Sequence, residues 1–91
     1  MGIDGHFASI FPNCKNTSLA LNSKQCTISF KDKHLNFKRI SLSLNEILKS
    51  KKIILIASSS EKQAVLKDQA ALPVHQLLKK ASNKLSIFKC N

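Results

Sequence analysis

Apolar positions along the 91 residues fall into short blocks whose period switches between that of a strand and that of a helix. Gln25 to Phe30 places Cys26, Ile28 and Phe30 on one side and Thr27 and Ser29 on the other, the period of a half-buried strand. Ile40, Leu42 and Leu44 alternate with Arg39, Ser41 and Ser43, which predicts a second short strand before the chain turns helical. Ser43 and Glu46 then have capping-box spacing, and Leu44, Ile47 and Leu48 share a helical face. Ile53 to Ala57 is a continuous, largely β-branched apolar run, the pattern of a parallel strand buried on both faces. Ser58 and Glu61 repeat the capping-box spacing and open a helix expected to reach about Ala71. Pro73 suits the first turn of a further helix, along which Val74, Leu77, Leu78 and Ala81 recur at one-turn spacing. Leu85 and Ile87 face one way in a last short strand over residues 84–89.

Between these blocks, residues 13–24 are rich in Asn, Ser, Lys and Thr and read as a surface loop, and residues 31–38 as a second, charged loop. Strands and helices in alternation argue for α/β architecture, a partial parallel-sheet, Rossmann-like domain. Neither an internal repeat nor a domain boundary interrupts it, so residues 1–91 are read as one unit with a modest core.

Charge complicates this picture. The formal net charge is +10, the electrostatic footprint of many nucleic-acid binders. Yet Arg39 is the only arginine, whereas bidentate phosphate and base-edge recognition favours the guanidinium fork. There is no Tyr or Trp to stack on bases, and the five Phe are scattered. Specific nucleic-acid binding is therefore not expected. No apolar run approaches the roughly 20 residues that span a bilayer, and the first residues do not form a secretory signal. Cys14, Cys26 and Cys90 are odd in number and lack C-x-x-C spacing, which points to reduced thiols and a cytoplasmic setting without a membrane. The Cys and His residues show none of the paired spacings of structural zinc, and no dinucleotide or P-loop fingerprint occurs, so neither a metal nor a cofactor is expected.

Candidate chemistry gathers in two places. In Gly2-Ile3-Asp4-Gly5-His6, small residues bracket an acid and an imidazole that a tight turn would present together. At Ser58-Ser59-Ser60, a strand gives way to a helix whose N-terminal N–H groups attract anions. Lys62 follows in the first helical turn, where a cation is unfavourable against the helix dipole unless an anion sits nearby.

The run Gly2-Ile3-Asp4-Gly5-His6-Phe7-Ala8-Ser9-Ile10-Phe11-Pro12 resembles the signature of the 6-phosphogluconolactonase family, related in fold to glucosamine-6-phosphate isomerases. Arg39 to Leu44, Lys51 to Lys67 and Leu72-Pro73-Val74 follow in the order and approximate spacing of that family's C-terminal half. The resemblance implies hydrolysis of a sugar-phosphate lactone, 6-phosphogluconolactone, in the pentose phosphate pathway. His6 is then the base, Asp4 the residue that orients it, and Arg39, Lys62, Ser59 and Ser60 the contacts to the substrate phosphate. Ser59 stands where the family usually has Gly. His34 and His75 are expected in solvent. The family's N-terminal half, with its own phosphate-binding turn, is not represented, so the chain alone is expected to be inactive and to need a separate N-terminal half or self-association. An amino-sugar phosphate isomerase is the near alternative, but those relatives usually place Asn-Glu-Pro after the Asp-Gly-His, where this chain has Ala8 to Pro12 and no acid. A small basic binding protein without enzymatic activity is the alternative from a different class.

Overall fold

The computed structural model describes residues 1–68 and 71–90. Residues 13–24, read as loop, contain a helix, α1 (Thr17–Asn22). Its six residues are too short to show a helical period, and its N-cap Asn16 makes no side-chain cap; burial of Ala20 holds it in place. The strands β1 (Thr27–Phe30) and β2 (Arg39–Leu42) then form an antiparallel pair, Thr27 opposite Leu42 and Phe30 opposite Arg39. Ile28 and Phe30 point into the core as the alternation predicts, while Cys26 is exposed.

The second predicted strand is present as β2, and its apolar residues face outward. Ile40 and Leu42 are 77% and 50% exposed, and Ser41 is buried. Alternation defines two faces but not which is inside, and here the inner position is fixed by hydrogen bonding. Ser41 Oγ accepts from the Ser9 amide at 3.1 Å and donates to Leu42 O at 2.9 Å. The next inward residue, Ser43, is fully buried and caps α2 (Leu44–Leu48), its Oγ accepting from Glu46 N at 3.1 Å.

The parallel pairing expected of the fold lies between β3 (Ile53–Ala57) and β4 (Leu85–Lys89), in register from Ile53 beside Leu85 to Ala57 beside Lys89. The connection between them runs through α3 (Ser60–Lys67), α4 (Pro73–Ala81) and a 3-10 turn, Ser82–Lys84. Ile53 and Leu55 join a cluster with Val74, Leu77 and Ala81 of α4, against which Val65 and Leu66 of α3 pack. Only that face of the strand is covered. Ile54 and Ile56 are 57% and 54% exposed, so the expectation of burial on both faces fails in this chain.

Helix α3 also departs from its expected bounds. Its cap is Ser59, one residue later than Ser58, with Ser59 Oγ accepting from Lys62 N at 3.2 Å. It stops at Lys67, short of the expected end near Ala71; residues 69 and 70 lie outside the described part, and Ala71 belongs to no element. His75, expected in solvent, is half-buried. Its Nδ1 accepts from Leu72 N at 3.2 Å and its Nε2 donates to Val65 O at 2.8 Å. One neutral imidazole thus satisfies a carbonyl at the end of α3 and an amide at the start of α4.

The unequal faces of β3 generate a test. Leu55→Ala should cost about 2–5 kcal/mol by opening a cavity, while Ile54→Thr, at an exposed position and still β-branched, should change stability by less than about 0.5 kcal/mol. Urea unfolding followed by circular dichroism distinguishes them, and equal losses would mean that both faces are packed.

Candidate active site

The glycine-bracketed turn is built by short backbone bonds. Gly5 N donates to Gly2 O at 3.0 Å and Gly2 N to His6 O at 2.9 Å. Gly5 has φ +84°, a region that side chains rarely enter, and a Cβ there would lie 2.7 Å from Leu72 Cβ. Its carbonyl accepts from Val74 N at 2.9 Å, so one of the unpaired amides in the first turn of α4 is satisfied by the loop itself. Beyond the turn, Phe7 and Ile10 are buried and bridge to each other, anchoring the segment in the core.

This clamp presents Asp4 and His6 side by side. Asp4 Oδ1 lies 2.6 Å from His6 Nδ1 and accepts from His6 N at 3.1 Å. A carboxylate oxygen accepts, so the contact puts a ring proton on Nδ1, and in the neutral imidazole Nε2 then holds the lone pair. The His6 side chain is 30% exposed and that of Asp4 47%, open enough to meet a ligand. Gly2 lies directly beneath them, and a Cβ at that position would collide with His6 Cε1 and Nδ1.

Phe11 extends the site. The His6 ring rests 4.6 Å from the Phe11 ring, centroid to centroid, and Phe11 meets Phe30 edge-on at 6.1 Å. On the same ring sits Arg39, its Cζ 5.9 Å from the centroid, with Phe37 at 5.8 Å. Arg39 is held by aromatic faces and forms no ion pair among the described residues, which leaves its guanidinium donors for an anion. Asp4, Phe11, Pro12, Asn13, His34 and Leu35 border an open cleft of about 350 Å³. Sequence reasoning passed over Phe11 as a contact between His6 and Arg39, although it lies inside the same motif.

Lys62 belongs to a second group, at the C-terminal end of β3. Its Nζ donates to Ser58 Oγ at 3.3 Å, and the Met1 amino group donates to Ile56 O at 3.1 Å. Burial, and then the Lys62 charge, push that amino group below its ordinary pKa. Ser59 Oγ is committed to the helix cap and Ser60 is exposed. No hydrogen bond joins Lys62, Ser59 or Ser60 to Asp4 or His6; the structure brings Asp4, His6 and Arg39 together through Phe11, while Lys62 contacts Ser58 at the end of β3.

Elsewhere, His34 is exposed and lies 3.6 Å from Cys14 Sγ. Burial and the nearby Asp32 carboxylate push the Cys14 thiol up, which keeps it protonated and a poor nucleophile. A larger cleft of about 730 Å³ is lined by Lys15, Asn16, Ser29, Lys31, Asp32, Lys33 and His34. Among the described residues no group of three His, Cys, Asp or Glu is placed to hold a metal ion, and no helix is long and apolar enough to cross a membrane.

The family model for glucosamine-6-phosphate isomerases/6-phosphogluconolactonase matches residues 1–86. The 6-phosphogluconolactonase of Helicobacter pylori strain J99 is 36% identical over 85 residues, covering 86% of this chain and 36% of that protein. The solved structure of a 6-phosphogluconolactonase from Shewanella baltica OS155 matches with a TM-score of 0.87 and 27% identity, covering 100% of this chain and 42% of that one. A protein from Neisseria gonorrhoeae FA 1090, at 23% identity and a TM-score of 0.82, shares the fold over the same fraction. The 91 residues thus span well under half the length of these relatives. With its motif, its parallel strand pair and its match over residues 1–86, the chain belongs to the glucosamine-6-phosphate isomerase/6-phosphogluconolactonase family.

Proposed function

We propose that this chain carries the acid–base pair of a cytoplasmic 6-phosphogluconolactonase, which hydrolyses 6-phosphogluconolactone to 6-phosphogluconate in the pentose phosphate pathway. The observation that carries the reading is the 2.6 Å contact between Asp4 Oδ1 and His6 Nδ1, which leaves His6 Nε2 as an open base. Lactone hydrolysis needs such a base to take a proton from water as it attacks the ring carbonyl. His6 removes that proton, the carbonyl oxygen becomes an oxyanion, and the proton then passes to the ring oxygen as the C–O bond breaks. Asp4 keeps the imidazole in the required tautomer and stabilises the imidazolium formed between the two transfers.

Arg39, held over Phe11, and Lys62 with Ser59 and Ser60 at the start of α3 supply the positive side of the site, suited to the phosphate. The lactonase reading is favoured over an isomerase by Ala8 to Pro12, which contains no acid, and by the names of the relatives in Helicobacter and Shewanella. These residues provide only part of a phosphate grip. The chain alone is therefore expected to show little or no lactonase activity, and assays require it together with the portion of the fold it does not contain.

In that reconstituted enzyme, His6→Ala should slow turnover by roughly a hundredfold or more, the scale of a lost general base. Turnover unchanged without His6 would sink the mechanism. Lys62→Ala should instead raise KM with kcat nearly kept, as expected for a contact made equally in ground and transition states. A further substitution probes the turn itself: Gly2→Ala, whose methyl would strike the His6 ring, should lower kcat at least about tenfold while the circular dichroism spectrum is unchanged. Full activity in that variant would show that the ring position seen here is not the working one.

A further inference from the structure

The larger cleft, of about 730 Å³, lies between the loop that follows the Gly2–Pro12 motif and the loop that joins β1 to β2. Its two walls are clamped to each other. Lys15 N donates to Asp32 Oδ2 at 3.0 Å, Asn16 Nδ2 donates to Ser29 O at 2.8 Å, and Cys14 Sγ lies 3.6 Å from His34 Nε2. On the second wall, Leu35 N donates to Asp32 O at 3.0 Å and closes the turn that carries Lys33 and His34. The concavity is therefore fixed by the folded chain, which lowers the cost of ordering it around a ligand.

Lys15 from one wall and Lys31 and Lys33 from the other line this space. Three ammonium groups share it with one carboxylate, that of Asp32, which already has an oxygen committed to the Lys15 amide. None of the three lysines forms an ion pair among the described residues. Like charges gathered in a concave place repel one another, and low-dielectric walls focus their field into the space between. An anion held there offsets that repulsion. The Ser29 hydroxyl, also on the lining, adds a neutral donor.

We propose that this cleft binds a small polyvalent anion, a molecule carrying two or more phosphate groups. The volume is that of a small-molecule site. Ammonium groups act as point charges that accept phosphate oxygens in varied geometry, and their presence on both walls favours a ligand with more than one anionic group. A nucleic-acid strand is the poorer occupant, because neither Phe nor Arg lines the cleft to stack on bases or grip them bidentately. Asp4, His6, Arg39 and Lys62 do not line it, so the proposal does not rest on the lactonase reading. His34 borders both this cleft and the smaller one beside Asp4 and Phe11, which places the bound anion next to the candidate active site.

The test titrates inorganic pyrophosphate into the isotope-labelled 91-residue chain at about 0.15 M ionic strength and follows the backbone amide resonances. Saturable shifts should centre on Lys15, Asn16 and residues 29–34. Lys31→Gln combined with Lys33→Gln should weaken affinity at least about tenfold, the scale of one lost charge-assisted hydrogen bond. Lys15→Gln, on the opposite wall, should weaken it in the same direction. Lys51→Gln combined with Lys52→Gln removes as much charge from exposed positions outside the cleft and should leave affinity within about twofold, since distant charges are screened. All five lysines are exposed, so each variant should keep the amide spectrum of the folded chain. The proposal would be overturned by shifts that do not saturate, by equal weakening in the two double variants, or by shifts confined to Arg39 and Lys62. A short single-stranded oligonucleotide that binds more tightly than pyrophosphate and is indifferent to Lys31 and Lys33 would overturn it as well.

Discussion

The hydrogen bond from the Val74 amide to the Gly5 carbonyl is the constraint from which much of the rest follows. Pro73 at the start of α4 has no N–H, so Val74 offers one of the first unpaired donors of that helix, and the Gly2–His6 turn supplies the acceptor. The contact is close: Gly5 sits against Leu72 with no room for a Cβ and with a backbone conformation that favours glycine. Because α4 is bound to the core through Val74, Leu77 and Ala81, the turn inherits its rigidity from a helix 68 residues away by number. His6 and Asp4 are therefore held by the packed part of the molecule although they lie near its surface.

His75 performs the matching task on the other side of α4. By joining Val65 O to Leu72 N it fixes how α3 leads into α4, and so where the first turn of α3, with Ser59 and Lys62, stands relative to the loop. A histidine on a helix gives no sign of this in sequence. Its apolar neighbours at one-turn spacing place it off the core face, and only the folded chain shows that the Val65 carbonyl, which also accepts from the Asp68 amide, lies within its reach.

What could be read from the sequence divides along a physical line. The turn at Gly2 to His6, the strands β1, β3 and β4, and the helix starting at Pro73 are specified locally, by period and by residue type, and the structure contains them. Orientation is decided non-locally. The β2 alternation is correct, but a hydrogen bond from Ser9 N turns Ser41 inward and leaves Ile40 in solvent. Continuous apolar character in Ile53 to Ala57 describes a strand with cover on both sides, and these 91 residues bring cover to one. That mismatch is information about the surroundings for which the sequence is suited. Helix α1 was illegible for the opposite reason, being too short to generate a period at all.

The same line separates the chemistry of the site. Asp4 and His6 are two residues apart and meet within a single turn, so their contact needs little beyond the clamp on α4. The proposed grip on a phosphate is different, because it would draw donors from several elements: Arg39 from the start of β2, Lys62 and the Ser59-capped amides from α3. Arg39 reaches the turn only by lying on Phe11, and Lys62 has its hydrogen bond with Ser58 rather than with any residue of the turn. A contact that is locally specified, such as that of Asp4 with His6, is thus formed in a chain spanning 42% of a relative, whereas Arg39 and Lys62 stand on separate elements. On the proposed reading, in which a lactone carbonyl must be held against His6, it is the substrate grip rather than the Asp4–His6 pair that limits what these residues do unaided.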